Sequence, residues 1–209
     1  MGVASWWDKH AVPRLIKLAC GTKPIMKLRS EVVPLARGSV FEIGCGGGIN
    51  QQFYDVGAVT RFAGIDPGGK LLEYAHAAAR TKGWEADIRD GIGEDIPFPD
   101  NEFDTAVCTY TLCSVQDPGQ VLKELLRILK PGGQLLFLEH GQAPDASVHR
   151  WQQRIEPLWK PLAGGCHLTR PITSSVQNAG YEVEPLGSRY APATPRVLGW
   201  MEWGRAIKA

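Results

Sequence analysis

Residues 40–50 read Val-Phe-Glu-Ile-Gly-Cys-Gly-Gly-Gly-Ile-Asn. Glycines placed directly behind Val40, Phe41 and Ile43 let a backbone turn sharply and approach a ligand to van der Waals distance, because no Cβ intervenes. A helix opening at Ile49 would turn its free N–H groups toward that ligand. Two carboxylates are spaced to serve such a loop. Glu42 stands just before it. Asp66 follows Gly44 by about twenty residues, the distance at which an acid accepts hydrogen bonds from ribose hydroxyls. A carboxylate suits that task because it takes two O–H donors at once. Asp66-Pro67 is equally a helix start signal, and a glycine loop can be a tight turn alone. His140, His167 and Tyr110 are the side chains suited to holding or moving a proton, with structural hydrogen bonding as the alternative.

The elements that must position these groups alternate strand and helix. Val40–Ile43 is a first strand and Phe62–Ile65 a second, with a short helix from Ile49 to Val56 between them. A helix over 67–82 presents Leu71, Leu72, Ala75 and Ala79 to a core. Trp84–Ile88 is a third strand and 103–110 a fourth. Asp117-Pro118 opens a helix whose core face is Val121, Leu122, Leu125 and Ile128. Lys130-Pro131-Gly132-Gly133 stops it with a glycine C-cap before a fifth strand, 134–138. Residues 142–168 read as irregular. A helix over 171–179, a sixth strand over 181–186, a turn at Pro192 and Pro195, and a final strand over 196–208 follow. Alternation of this kind predicts an α/β domain whose ligand sits off the carboxyl ends of the strands. The dinucleotide fingerprint G-x-G-x-x-G would need its third glycine where Ile49 or Asn50 stands, so the spacing argues against a nicotinamide oxidoreductase.

Glu42-x-Gly44-x-Gly46-x-Gly48 resembles motif I of the class I S-adenosylmethionine-dependent methyltransferases. Glu94-x-Ile96-Pro97-Phe98-Pro99-Asp100-x-x-Phe103-Asp104 resembles a second run of that family, and Leu129-Lys130-Pro131-Gly132-Gly133 a third. The resemblance implies S-adenosylmethionine as cofactor, held by Glu42, Gly44, Cys45, Gly46, Gly48, Asp66, Pro67, Gly93, Glu94, Thr109 and Tyr110. It also implies a Rossmann-like three-layer sandwich with a seven-stranded, mostly parallel sheet, the last strand running antiparallel between the fifth and sixth. The family often places an acid against the adenine amine two residues before the glutamate. Here that position is Ile92, and Gly93 or Glu94 would substitute.

Further similarity is carried by Cys108-Thr109-x-x-Leu112-Cys113-Ser114-Val115, Glu139-His140, and the stretch from Trp151 through Trp159 to Gly165-Cys166-His167-Leu168-Thr169-Arg170. Together these look like the mammalian microsomal alkyl-thiol S-methyltransferases and their bacterial relatives, from about residue 38 onward. The implied acceptor is a small apolar molecule, first an alkyl thiol. Leu112, Cys113, Trp151, Trp159 and Cys166 are the expected substrate contacts. His140 is the first candidate base, His167 the second, and Tyr110 a candidate to hold the acceptor, since a thiol reacts as its thiolate. A phospholipid amine or a quinone precursor is the alternative acceptor. A non-catalytic nucleotide-binding or scaffold protein is the rival of another class.

The chain has 209 residues, 44% hydrophobic, and a formal charge of +1, which suits one α/β domain and gives no electrostatic case for nucleic acid. Cysteines at 20, 45, 108, 113 and 166 show no C-x-x-C pair, so neither a metal site nor a disulfide framework is expected, and a reducing cytoplasm fits. No signal-peptide pattern or membrane-length apolar run is visible. Residues 1–37 mix Trp6, Trp7, Leu15, Ile16 and Leu18 with Lys9, Arg14, Lys17, Lys23 and Lys27. They read as a helical cap over the active face of a methyltransferase domain spanning 38–209. Their basic, amphipathic character also suits loose contact with the inner face of a membrane. An insertion over 141–168 is placed to cover substrate.

Overall fold

A computed structural model describes residues 21–209 of the chain. Most of the expected N-terminal cap, with Trp6, Trp7 and Cys20, lies outside the described residues. The strands are β1 (Gly38–Ile43), β2 (Val59–Asp66), β3 (Asp87–Asp90), β4 (Phe103–Thr109), β5 (Leu129–His140), β6 (Tyr181–Tyr190) and β7 (Trp200–Lys208). They form one seven-stranded sheet in the order β3-β2-β1-β4-β5-β7-β6. The first five are mutually parallel, and β7 runs antiparallel between β5 and β6. The helices are α1 (Lys23–Val32), α2 (Gly69–Thr81), α3 (Pro118–Ile128), α4 (Ala146–Leu162), α5 (Ile172–Asn178) and the single turn α6 (Arg196–Gly199).

Alternation along the strands divides the core between the two faces of the sheet. Phe41, Ile43, Ala106 and Phe137 pack on one side with Val121, Leu122 and Leu125 of α3 and with Ile172 and Val176 of α5. Val40, Phe62, Val107 and Leu136 pack on the other with Leu28 and Val32 of α1 and with Leu72, Ala75 and Ala79 of α2. Central strands read as nearly unbroken apolar runs because both of their faces are covered. This is the expected three-layer Rossmann-like sandwich. Asp117 caps α3 as its sequence predicts, accepting from the Gln120 N–H at 3.0 Å. Among the described residues no helix is long and apolar enough to cross a membrane.

Several boundaries differ from the sequence expectation. The helix after the glycine loop is a short 3₁₀ segment, Ile49–Phe53. The helix that Asp66-Pro67 was expected to open begins later, at Gly69. Trp84 is not in a strand; it stacks on Phe62 with ring centroids 5.4 Å apart, and β3 starts only at Asp87. There is no glycine C-cap on α3. Leu129 is already extended and pairs with Phe103, and the register then jumps to Thr105 opposite Gln134, so Lys130–Gly133 bulges out of β5. The final strand begins at Trp200, preceded by α6.

The largest difference is the insertion, expected to be irregular and mostly occupied by the 17-residue α4. Pro157 and Pro161 stand inside it, four residues apart and both exposed, so the carbonyls they leave without an N–H partner lie on the solvent side. Gln152 anchors the opposite face. It is fully buried, accepts from the Ala143 N–H at 2.9 Å and donates to the Gly141 carbonyl at 3.1 Å.

Candidate active site

The strand order reverses between β1 and β4, and a cavity of about 690 Å³ opens there at the carboxyl ends of the strands. Its walls include Glu42 near the end of β1 and Gly44, Cys45 and Gly46 after it, Asp66 at the end of β2 and Pro67 after it, Gly93 and Glu94 after β3, and Thr109 and Tyr110 at the end of β4. These ten expected cofactor residues therefore come together on one cavity.

The glycine loop is shaped by two distinct steric demands. Gly44 has φ +66°, and a Cβ there would overlap the Thr111 hydroxyl. Gly48 does not line the cavity. It has φ +78°, and its Cβ would come within 3.1 Å of both Ala75 Cα and Ala78 Cβ on α2, so it serves the packing of loop against helix. Gly44→Ala is expected to destabilise the protein by roughly 1–3 kcal/mol, through left-handed strain and displacement of Thr111, and to weaken cofactor binding. Thermal unfolding with and without cofactor checks this, and an unchanged midpoint in both would refute it.

Asp66 closes the loop from the neighbouring strand. Its Oδ2 accepts from the Gly46 N–H at 2.9 Å and its Oδ1 from the Gly68 N–H at 2.8 Å. Burial raises its pKa, while those two amides oppose the shift. The carboxylate thus organises both the glycine loop and the turn before α2, but it does not cap that helix, whose N-cap is Gly68 with no side-chain cap.

The cavity floor is a buried polar network that the sequence did not announce. Arg29 reaches in from α1, only 5% exposed, and donates to Asn50 Oδ1 and, at 2.7 Å, to the Thr109 hydroxyl. Asn50 in turn donates to Glu42 Oε1 and to Thr109 Oγ1, both at 2.9 Å. Tyr54 donates to Glu42 Oε2 at 2.8 Å. Burial nevertheless pushes the Glu42 pKa up to about 7, against the opposing pull of Tyr54, Arg29 and Asn50. The Arg29 guanidinium also lies 4.8 Å over the Tyr110 ring, and Tyr110 takes φ +56° where β4 turns away. Arg29 was hidden among the lysines of an apparently solvated segment, and Asn50 by its position where a third packing glycine was sought.

Ile92 lines the cavity where the family often has an acid, and it is exposed. Glu94 Oε1 is engaged by the N–H groups of Gln116 and Asp117, at 3.0 and 3.1 Å, and so fastens the adjacent wall.

A family profile described as "Methyltransferase domain" matches residues 41–137. Thiol S-methyltransferase TMT1B of Rattus norvegicus is 37% identical over 169 residues, covering 77% of this chain and 69% of that protein. The chain belongs to the class I S-adenosylmethionine-dependent methyltransferases. A ubiquinone biosynthesis O-methyltransferase of Pseudomonas putida (strain W619) is 31% identical over 201 residues, covering 90% of this chain and 83% of that one. Among solved structures, a Thermotoga maritima protein described as a possible histamine N-methyltransferase superposes with TM-score 0.66 at 21% identity, over the whole of both chains. That likeness bears on the fold alone.

This enzyme uses S-adenosylmethionine, and the cavity suits a sulfonium with an amino-acid tail. Two carboxyl groups, Glu42 and Asp66, the backbone of Gly44 and Gly46, and the Arg29 guanidinium all line it.

The remaining expected residues of the methyltransferase lie off this cavity. Buried Glu139, at the end of β5, accepts the N–H groups of Thr111 and Leu112 at 2.8 and 3.1 Å on Oε1, and that of Cys113 at 3.3 Å on Oε2. This clamp holds Leu112 and Cys113 beneath the wall formed by Thr111, Ser114 and Val115. His140 is 7% exposed, with Nδ1 3.6 Å from Cys166 Sγ and no protein partner for Nε2 among the described residues. His167 Nδ1 lies 2.9 Å from Glu156 Oε1, whose other oxygen accepts the N–H groups of Leu168 and Thr169. Trp159 is half-buried, with no hydrogen-bond partner for its indole N–H among the described residues, whereas Trp151 stands on the outer side of α4, 57% exposed, beneath the Arg154 guanidinium.

Proposed function

We propose that this methyltransferase methylates the sulfur of a small, apolar alkyl thiol. The observation that carries the reading is the 37% identity, over 77% of the chain, to a protein named a thiol S-methyltransferase. When bound, S-adenosylmethionine supplies a methyl group already activated for in-line displacement, so the protein's part is alignment, exclusion of water and handling of one proton.

In this reading Asp66 takes the ribose hydroxyls, and the Gly44–Gly46 backbone and Pro67 border the cofactor. Gly93 and Glu94 stand at the adenine end beside Ile92. Glu42 and Arg29, joined through Asn50 and Thr109, address the charges of the amino-acid tail. The acceptor enters between Tyr110–Val115 and the turn after α4, where Gly164 lines the cavity and Leu112, Cys113, Trp159 and Cys166 stand behind it. His140 is the imidazole suited to receive the thiol proton, because His167 is engaged by Glu156. The segment before β1 acts as a cap: Leu28 and Val32 bury against the sheet while Arg29 enters the site. The mixed exposure of α1 and its lysines suits a cytoplasmic protein that touches a membrane surface at most loosely.

The likeness to ubiquinone O-methyltransferases favours a quinone precursor as the second acceptor class. Incubation with labelled S-adenosylmethionine and parallel sets of alkyl thiols, quinols and amines separates the two. Label is expected in the thioether product. Silence across the thiols with turnover of a quinol would transfer the assignment to oxygen.

A further inference from the structure

Beside the cavity the methyltransferase gathers reactive side chains that methyl transfer does not need as a group. Cys113 belongs to the segment clamped by Glu139, and Cys166 to the turn between α4 and α5. The His167 N–H donates to the Cys113 carbonyl at 2.7 Å, which ties the two stretches backbone to backbone. That contact brings the two cysteines alongside each other, and His140 Nδ1 lies 3.6 Å from Cys166 Sγ. Cys45, Cys108 and Cys113 are buried, whereas Cys166 is partly exposed.

Arg170 approaches both thiols and donates to the carbonyls of Leu112 and, at 2.6 Å, Val115. Glu139 is occupied by backbone N–H groups and Glu156 by His167 and Thr169. The neighbouring Cys113 thiol and then the His140 ring hold the Cys166 thiol below its usual pKa despite burial. Cys108 is pushed the opposite way by burial and by Glu139. A partly exposed cysteine beside an imidazole, tied backbone to backbone to a second cysteine, is the arrangement that dithiol exchange requires.

We propose that Cys166 and Cys113 form a thiol–disulfide exchange site for small dialkyl disulfides, with Cys166 attacking and Cys113 resolving. The choice of electrophile rests on the thiol-acceptor reading, since a dialkyl disulfide is the oxidised form of that acceptor. Cys166 Sγ attacks one sulfur of RS–SR; a Cys166–SR bond forms, the RS–SR bond breaks, and RS⁻ leaves and takes a proton. Cys113 then attacks Cys166 Sγ, giving the Cys113–Cys166 disulfide, while its own proton accompanies the second RS⁻. The protein dithiol is oxidised, one disulfide is reduced, and two RSH are released. The new bond fastens the α4–α5 turn, which lines the cavity through Gly164, to the segment that lines it through Thr111, Ser114 and Val115.

The test treats the full chain, without cofactor, with bis(2-hydroxyethyl) disulfide, followed by acid quench, intact mass and peptide mapping. The wild type is expected to lose the two hydrogens of a disulfide and to yield a linked peptide joining Cys113 and Cys166. Cys113→Ser should stop at a hydroxyethylthio adduct on Cys166, and Cys166→Ser should leave Cys113 unmodified. A second measurement needs no variant. The Cys166 rate should be nearly flat from about pH 5 to 8 in folded protein and rise roughly tenfold per pH unit over that interval in denaturant. A stable adduct on wild-type Cys166, no linked peptide, or the same steep profile in both states would overturn the proposal. Because the readout is mass, exchange without thiol methylation would refute only the acceptor reading. Thiol methylation without exchange would refute only this inference.

Discussion

Asp66→Ala is expected to weaken S-adenosylmethionine binding by ~1.5–3 kcal/mol, roughly 10- to 150-fold in dissociation constant. Two effects add. The ribose loses a charged acceptor, and the N–H groups of Gly46 and Gly68 lose the oxygens that hold them at 2.9 and 2.8 Å. Asparagine is no gentle control here. Each carboxylate oxygen already accepts a backbone N–H, so an amide must turn its NH₂ against one of those donors. Asp66→Asn should therefore fall close to the alanine variant rather than midway to wild type. Titration calorimetry decides the matter; wild-type affinity in the alanine variant would remove Asp66 from the cofactor site.

Glu42 gives the second large effect, and its sign depends on pH. Its folded pKa, about 7, exceeds the ordinary 4.5 because the carboxyl is buried. Its contribution to stability is thus fully present below the unfolded value and is lost as pH rises from about 4.5 to about 7. Above that the ionised group costs the unliganded protein ~3 kcal/mol. A cationic cofactor reverses the balance by favouring the ionised form. S-adenosylmethionine affinity should rise roughly tenfold between pH 6 and pH 8. Glu42→Gln keeps the hydrogen bonds, since its oxygen can accept from Asn50 and its NH₂ can donate to the Tyr54 hydroxyl. It should bind cofactor weakly, with no pH dependence over that interval, yet melt no lower than wild type at pH 8. Wild-type affinity that is flat across the same interval would show that the cofactor does not sense this proton.

The glycine loop and Asp66 were legible because steric need and charge leave few residue types to choose from. Gly44 and Gly48 serve backbone conformations that other residues resist, and the spacing from loop to acid follows the length of one βα unit. The sheet order was legible only through resemblance, since periodicity carries no record of which strand lies next to which. Arg29 and Asn50 were opaque for the opposite reason. Each is polar in a polar neighbourhood, and only tertiary packing turns Arg29 inward from α1 to meet Thr109. The prolines of α4 misled because a proline signals a break in isolation, whereas burial of Gln152 on the other face keeps the helix intact. Cys113 and Cys166, more than fifty positions apart, meet only because the clamp at Glu139 and the turn after α4 bring them together.

The placement of β7 has a bearing on how the protein assembles. Within the sheet β6 touches no strand but β7, while β7 pairs Gln134 with Ile207 across a long loop of chain. The ten residues of β6 pair with β7 as a local antiparallel hairpin, whereas β5 gains its second neighbour only when β7 pairs with it across the intervening chain. Such distant pairing closes slowly, and until it does β5 presents an open, apolar edge to any other extended chain. The interval of greatest aggregation risk during folding is therefore set by the insertion of a single strand, far from the chemistry.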